Sequence, residues 1–215
     1  MLAEIARRAP AGGYGAILDV GCGDGLFFPK LAKYGSVEGV EEDSSTLSEE
    51  AERYGRIWRQ PFDAAFQPGR SFGLVTMLDV VEHVVDDAAC MARAAALLAP
   101  GGLLVATVPA FQALWTAHDA WNHHHRRYAR GAFVKLVAGA GLAVLASRYF
   151  FHWPAPLKLL VRAKEALAGT KPEMARTPPA PVNRALYWLS RLEAATLGRL
   201  DLPFGSSVIV VARRP

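Results

Sequence analysis

The segment Ile17-Leu18-Asp19-Val20-Gly21-Cys22-Gly23-Asp24-Gly25 limits the folds open to this chain more than any other. A short apolar run, Ala16–Val20, predicts a buried strand. It passes into a turn with three glycines and then into a predicted helix over Leu26–Tyr34. Glycine reaches positive φ without steric cost, and its missing side chain lets a ligand approach the backbone closely. Open α/β sheets place ligands at the carboxyl ends of their strands, so this turn is also a candidate binding loop.

The pattern continues in alternation. Val37–Glu41, Ile57–Arg59, Phe72–Leu78 and Leu103–Val108 read as strands. Ser44–Tyr54 and the alanine-rich Asp87–Leu98 read as helices, the second halted at Pro100-Gly101-Gly102. Strands alternating with helices predict a parallel sheet with right-handed crossovers. Phe111–His118 then reads as helical, 119–129 as polar and aromatic, Gly131–Ala140 as a helix and Leu142–Phe151 as a sixth strand. A long stretch precedes the last strand, Ser206–Ala212. It holds two predicted helices, Ala155–Ala168 and Val182–Leu197, joined by the proline-rich Gly169–Pro181, which reads as a mobile linker. The expectation is one domain over 1–215, with 154–204 as a helical insertion that serves as a lid, a partner surface or a membrane-facing element.

Hydrophobic residues make up 52% of the 215 residues, enough for a packed core, and the net charge is only +4. The basic clusters, Arg126-Arg127, Arg130 and Arg213-Arg214, are small. They suit anionic groups on a substrate or a mild attraction to acidic lipid, and no nucleic-acid partner is indicated. Cys22 and Cys90 form no CxxC pair, which predicts a reducing, cytoplasmic setting. Residues 1–10 lack an apolar signal-peptide core, and no run approaches the roughly 20 apolar residues of a membrane span.

Dinucleotide-binding turns want G-x-G-x-x-G beneath a pyrophosphate. Here the spacing is G-x-G-x-G, and Asp24 inside the turn would repel a pyrophosphate. A zwitterionic sulfonium ligand tolerates acids, and Asp19 is placed to take its ammonium group. Glu41, at the end of the second strand, can accept two ribose hydroxyls, or can simply be a solvated acid beside Glu42 and Asp43. The blocks ILDVGCGDG, VEGVEED, FGLVTMLDVVEHVVDD and LLAPGGLLVATVP follow the order of the class I S-adenosylmethionine-dependent methyltransferases, which this chain resembles over roughly residues 14 to 150. That resemblance implies a doubly wound, mostly parallel seven-stranded sheet, with SSVIVVARR inserted antiparallel between the fifth and sixth strands. It also implies that Asp19, Gly21, Gly23 and Gly25 hold the methionine part, Glu41 the ribose and Asp63 the adenine. The block from Asp79 to His83 would line the methyl-donor pocket.

Methyl transfer needs an aligned nucleophile and, for a hydroxyl, a base. His83 is one candidate, although Glu82 and His83 can equally cap the next helix. His118 and His124 are the others. They lie in the segment His118-Asp119, Trp121, His123-His124-His125, Arg126-Arg127-Tyr128, whose H-D-x4-H-x-R-R-Y pattern resembles a bacterial methyltransferase subgroup. On this reading Arg126 and Arg127 bind an anionic group of the acceptor, Trp115 and Trp121 form apolar walls, and Tyr128 completes the pocket. Metal binding is set aside, because the segment has no cysteine partner and adjacent histidines do not point one way. The architecture is also similar to quinone-biosynthesis O-methyltransferases, whose acceptors carry isoprenoid tails.

The primary expectation is therefore an S-adenosylmethionine-dependent methyltransferase acting on a small-molecule acceptor, most simply on oxygen, as a monomer or homodimer. The alternatives are an NAD-dependent oxidoreductase and a non-catalytic scaffold of the same fold.

Overall fold

The computed structural model describes residues 1–168, 178–197 and 200–215. Most of the expected Gly169–Pro181 linker therefore lies outside the described residues. A short α1 (Leu2–Arg8) precedes β1 (Gly15–Val20), α2 (Phe28–Leu31), β2 (Gly35–Glu41), α3 (Glu49–Glu52) and β3 (Gly55–Arg59). Next come β4 (Phe72–Leu78), α4 (Asp87–Leu97), β5 (Leu98–Pro109), α5 (Ala117–Trp121), α6 (Arg130–Gly139) and β6 (Ala143–Phe150). The chain closes with α7 (Pro154–Ala168), α8 (Ala180–Ala195) and β7 (Ser207–Arg213).

The strands form one sheet in the order β3-β2-β1-β4-β5-β7-β6, parallel except for β7, which pairs antiparallel with both β5 and β6. Side chains alternate across a strand, so each strand feeds two cores. Leu18, Val20, Val75, Met77, Leu104 and Ala106 face one side, covered by α4 and α6 through Met91, Ala94, Phe133 and Val137. Ile17, Val37, Leu74, Val105 and Ile209 face the other, covered by Ile5 of α1 and by Phe28 and Leu31 of α2. The short lead before β1 thus supplies its own cover.

Four boundaries depart from the sequence pattern. The helix expected over Phe111–His118 breaks into a 3-10 turn, Gln112–Leu114, and α5, because Trp115 and Thr116 are extended and Thr116 starts α5 with a capping box. The helix expected over Leu26–Tyr34 shrinks to the single turn of α2. Pro29 fixes its start, and the chain must turn at once to enter β2 at Gly35. The expected helix at Ser44–Tyr54 breaks into a 3-10 turn, Ser44–Thr46, and the short α3. The Asp43 carboxylate accepts from the Ser45 N–H and hydroxyl and holds that turn. Pro100-Gly101-Gly102 does not separate helix from strand but forms an irregularity within β5. Leu98 pairs with Phe72 and Leu103 with Leu74, leaving four residues bulged out.

Candidate active site

A cavity of about 530 Å³ opens at the carboxyl ends of β1, β2 and β4, walled by Gly21, Glu41, Gln60, Phe62, Asp79 and His83 among others. Gly21 of the glycine turn lines it, and φ is 62, 52 and 74° at Gly21, Gly23 and Gly25. A Cβ on Gly25 would stand 2.2 Å from the Cβ of Ala51, so glycine alone lets this turn pack on α3. At Gly23 the space a Cβ would fill is open, with nothing within 4 Å. Its N–H donates to Glu41 at 2.9 Å, and the second Glu41 oxygen accepts from the Asp43 N–H at 3.0 Å. Glu41 therefore stands at the cavity wall with its carboxylate aimed at the turn.

Asp19 lies beneath the turn, 3% exposed, accepting a 2.5 Å hydrogen bond from the Thr76 hydroxyl. Burial pushes its carboxyl up to about 7, and the charge of Glu41 adds to the rise. Asp79 ends β4 in the left-handed region, at φ 55°, and its carboxylate accepts from the Thr107 hydroxyl at 3.1 Å. Burial raises its carboxyl as well. Asp63 takes a different place from the expected adenine contact. It is exposed, and its carboxylate accepts from the Ala65 N–H at 2.8 Å, closing a local turn. Gln60, Pro61 and Phe62 supply that stretch of wall instead.

The segment between β5 and α6 is organised by one buried carboxylate. Asp119 accepts from Arg127 Nε at 2.8 Å and Nη2 at 2.9 Å, from the Thr116 N–H at 2.9 Å and from His124 Nδ1 at 2.8 Å. Burial alone would raise this carboxyl. The bonds from His124, Thr116 and Arg127 outweigh that and hold it well below the usual carboxylate range. Asp119 and Thr116 also form a capping box that starts α5. With Nδ1 fixed by Asp119, His124 turns its ring edge-on to His83, centroids 4.6 Å apart. Trp115 flanks His124 at 6.5 Å. His83 in turn lines the cavity, and burial lowers its pKa, with His124 adding to the effect.

Arg126, Arg127 and Tyr128, expected to bind the acceptor, are each engaged within the chain. Besides Asp119, Arg127 donates to the Ala110 carbonyl at 3.0 Å and staples the segment to the end of β5. Arg126 donates to Asp87 at 2.9 Å and to the Val85 carbonyl at 2.7 Å, and the Tyr128 hydroxyl donates to Asp87 at 2.7 Å. Trp121 ends α5 and is 41% exposed, which makes it a poor wall. His118 pairs through Nε2 with the Asn122 amide at 2.9 Å, and burial lowers its pKa.

Two features escaped the sequence reading. Lys158 of α7 is half-buried near Arg127, Asp119 and Asp79. Burial lowers its pKa, and Arg127 adds to this. Only the docking of α7 shows this, since Lys158 stands far along the chain. Glu82 is fully buried, its two oxygens have no hydrogen-bond partner, and burial pushes it up to about 9. Donor atoms of Glu82, His83 and His124 lie within 4.8 Å of one another. One of the three adjacent histidines, His124, thus meets a glutamate and a histidine of another loop.

A methyltransferase domain family model matches residues 1–147. The chain belongs to that family. Among curated relatives, a ubiquinone biosynthesis O-methyltransferase of Bradyrhizobium sp. (strain ORS 278) is 34% identical over 96 residues, 41% of this chain and 38% of the relative. One from Coxiella burnetii (strain Dugway 5J108-111) is 30% identical over 95 residues, 41% of each chain. The chain thus spans about two fifths of the length of these relatives. An S-adenosylmethionine-dependent methyltransferase structure from Mesorhizobium loti shares the fold at a TM-score of 0.62 and 18% identity, covering 99% of this chain and 96% of that one. Membership in the methyltransferase family removes the reason to consider a dinucleotide-dependent oxidoreductase. The donor of this family is S-adenosylmethionine, and the open cradle at Gly23, the carboxylate of Glu41 and the size of the cavity fit it.

Proposed function

We propose that this chain moves a methyl group from S-adenosylmethionine to a hydroxyl oxygen of a small-molecule acceptor, with His124 as the base. The observation that carries the reading is the line from Asp119 to His124 to His83, which ends at the wall of the donor cavity. A carboxylate on Nδ1 selects the imidazole tautomer whose Nε2 accepts a proton. Glu41 would hold the ribose hydroxyls, Gly21 and Gly23 would let the methionine part lie against the backbone, and Asp19 would answer its ammonium group. Bound S-adenosylmethionine supplies a methyl carbon on a positive sulfur, which leaves as a neutral thioether.

The chain's own task is alignment and proton removal. Trp115 and His83 frame the place where the acceptor hydroxyl would stand, and His124 Nε2 would take its proton as the new C–O bond forms. A base so placed contributes about 10²–10⁴-fold. The curated relatives are O-methyltransferases by name, which supports oxygen as the acceptor atom.

Calorimetric titration with S-adenosylmethionine, S-adenosylhomocysteine and NAD tests the donor. Wild type is expected to bind the two adenosyl ligands alone, and Glu41→Ala to weaken them about 10- to 100-fold through two lost hydrogen bonds to a charged group. Binding of NAD, or full affinity in Glu41→Ala, would overturn the assignment. Turnover in a screen of aromatic and lipid-tailed hydroxyl acceptors then separates an enzyme from a non-catalytic relative of the fold.

A further inference from the structure

The helices α7 and α8, which join β6 to β7, are built inside out. In α7 the residues Lys158, Arg162 and Glu165 recur at i, i+4 and i+7, and these polar groups face the domain. Arg162 donates to the carbonyls of Gln112 and Trp115, Glu165 accepts from the Ala117 N–H at 3.0 Å, and Lys158 lies near Asp119. The apolar stripe of Leu157, Leu160, Val161 and Leu167 faces solvent, with Leu160 69% and Leu167 91% exposed.

Helix α8 repeats the arrangement. Glu193 turns inward and accepts from the N–H groups of His152 and Trp153, and Ser190 accepts from the Trp153 indole. Val182, Tyr187, Trp188, Leu189 and Leu192 stay outside, Trp188 at 62% and Leu192 at 60%. Apolar surface on this scale marks an interaction site rather than ordinary exposure. It continues into an apolar groove of about 490 Å³ between α7 and the Phe111–Leu114 segment, which Leu159 and Phe204 line.

Charge decides the occupant. Residues 154–204 carry eight Lys/Arg against four Asp/Glu, while the rest of the chain carries sixteen of each, so the whole excess of +4 resides in this insertion. Among the described residues its acids are all engaged: Glu165 and Glu193 as above, and Asp201 with Arg130. Lys164, Arg184 and Arg191 are exposed on the same two helices as the leucines. A second copy of this chain would set these cations against each other. An anionic surface would not.

We propose that the α7–α8 face is a docking surface for an anionic lipid bilayer. The leucines and Trp188 enter the headgroup boundary, and the exposed basic residues meet lipid phosphates, as interfacial amphipathic helices do. Among the described residues no helix is long and apolar enough to cross a membrane, so the contact is peripheral. If the proposed methyl transfer holds, the bilayer is the source of a lipid-tailed acceptor.

The test is co-sedimentation of the full chain with phosphatidylcholine vesicles, with and without about 30% phosphatidylglycerol, at low and high salt, with neither donor nor acceptor present. Partition onto the anionic vesicles is expected to be about tenfold or more stronger, and to fall with salt. The double variant Leu160→Ser, Leu192→Ser, at exposed positions, is expected to keep the thermal midpoint and to lose about tenfold or more of that partition. Arg184→Glu is expected to weaken binding to anionic vesicles alone. Equal partition onto both vesicle types, partition unaffected by the variants, or a stable dimer that binds no vesicle would overturn the proposal. Because no methyl donor enters the assay, its failure leaves the proposed reaction standing, and a failed acceptor screen leaves the docking surface standing.

Discussion

Asp19→Asn should make the empty protein more stable while weakening its grip on the donor. Asp19 is buried under the glycine turn with Thr76 as its hydrogen-bond partner, and burial holds its carboxyl at about 7. Because this pKa is raised, the folded chain keeps a proton between the ordinary aspartate range and about 7 that the unfolded chain has released. Stability therefore falls as pH rises through that window and is constant above it. Across roughly three pH units, at about 1.4 kcal/mol each, the loss approaches about 4 kcal/mol. Asparagine carries no charge, and its Oδ1 accepts the same bond from Thr76. Groups common to both proteins cancel in the difference. Urea unfolding at pH 4, 5.5, 7 and 8 should find the two proteins nearly equal at pH 4, and the variant more stable by roughly 2–4 kcal/mol at pH 8. Affinity for S-adenosylmethionine should fall about tenfold or more with the loss of the ammonium's partner. A difference that does not change with pH, or a variant less stable than wild type at pH 8, would refute the reasoning.

Three further outcomes are expected. His124→Gln should lower kcat about 10²-fold or more on an acceptor found by screening, whereas His118→Gln should cost only a few-fold, since His118 is paired with Asn122. Equal losses would place the base elsewhere. Arg127→Ala should unfold about 3–5 kcal/mol more easily in denaturant, because it leaves the Asp119 charge buried with half its partners, while Arg126→Ala should cost about 1 kcal/mol or less. Glu82→Gln should keep its thermal midpoint at pH 7, where Glu82 is already neutral. If it instead abolishes turnover that added Zn²⁺ or Mg²⁺ stimulates in wild type, the ionised carboxylate holds a cation with His83 and His124.

Strands were the most legible part of the chain. Apolar runs such as Ile17–Val20 and Leu103–Val108 are buried on both faces of the sheet, so composition and position say the same thing. Helices α2 and α3 were less so, because Pro29 and the Asp43 turn cut short what propensity would extend. In the site, residues set by backbone need, such as Gly23 and Gly25, could be located from their spacing. The arginines of the histidine-rich segment read as acceptor ligands, since a guanidinium that binds a substrate and one that holds Asp119, as Arg127 does, look identical in a string of letters. Lys158 was beyond reach for a third reason: its contribution depends on which way α7 lies, and that helix reverses the usual rule of apolar side inward.

The carboxyl ends of β4, β5 and β6 each hand the chain onward through one left-handed residue: Asp79, Phe111 and Phe151, with φ of 55, 54 and 56°. Glycine adopts that conformation freely and asparagine or aspartate at modest cost, but other residues are strained in it, β-branched ones most of all. Anyone reshaping this protein for a new acceptor inherits three fixed exit angles. Libraries that spare these hinges and vary the walls between them, around Trp115 and the Leu114–Leu159 groove, will keep more folded members than libraries that vary the rim evenly.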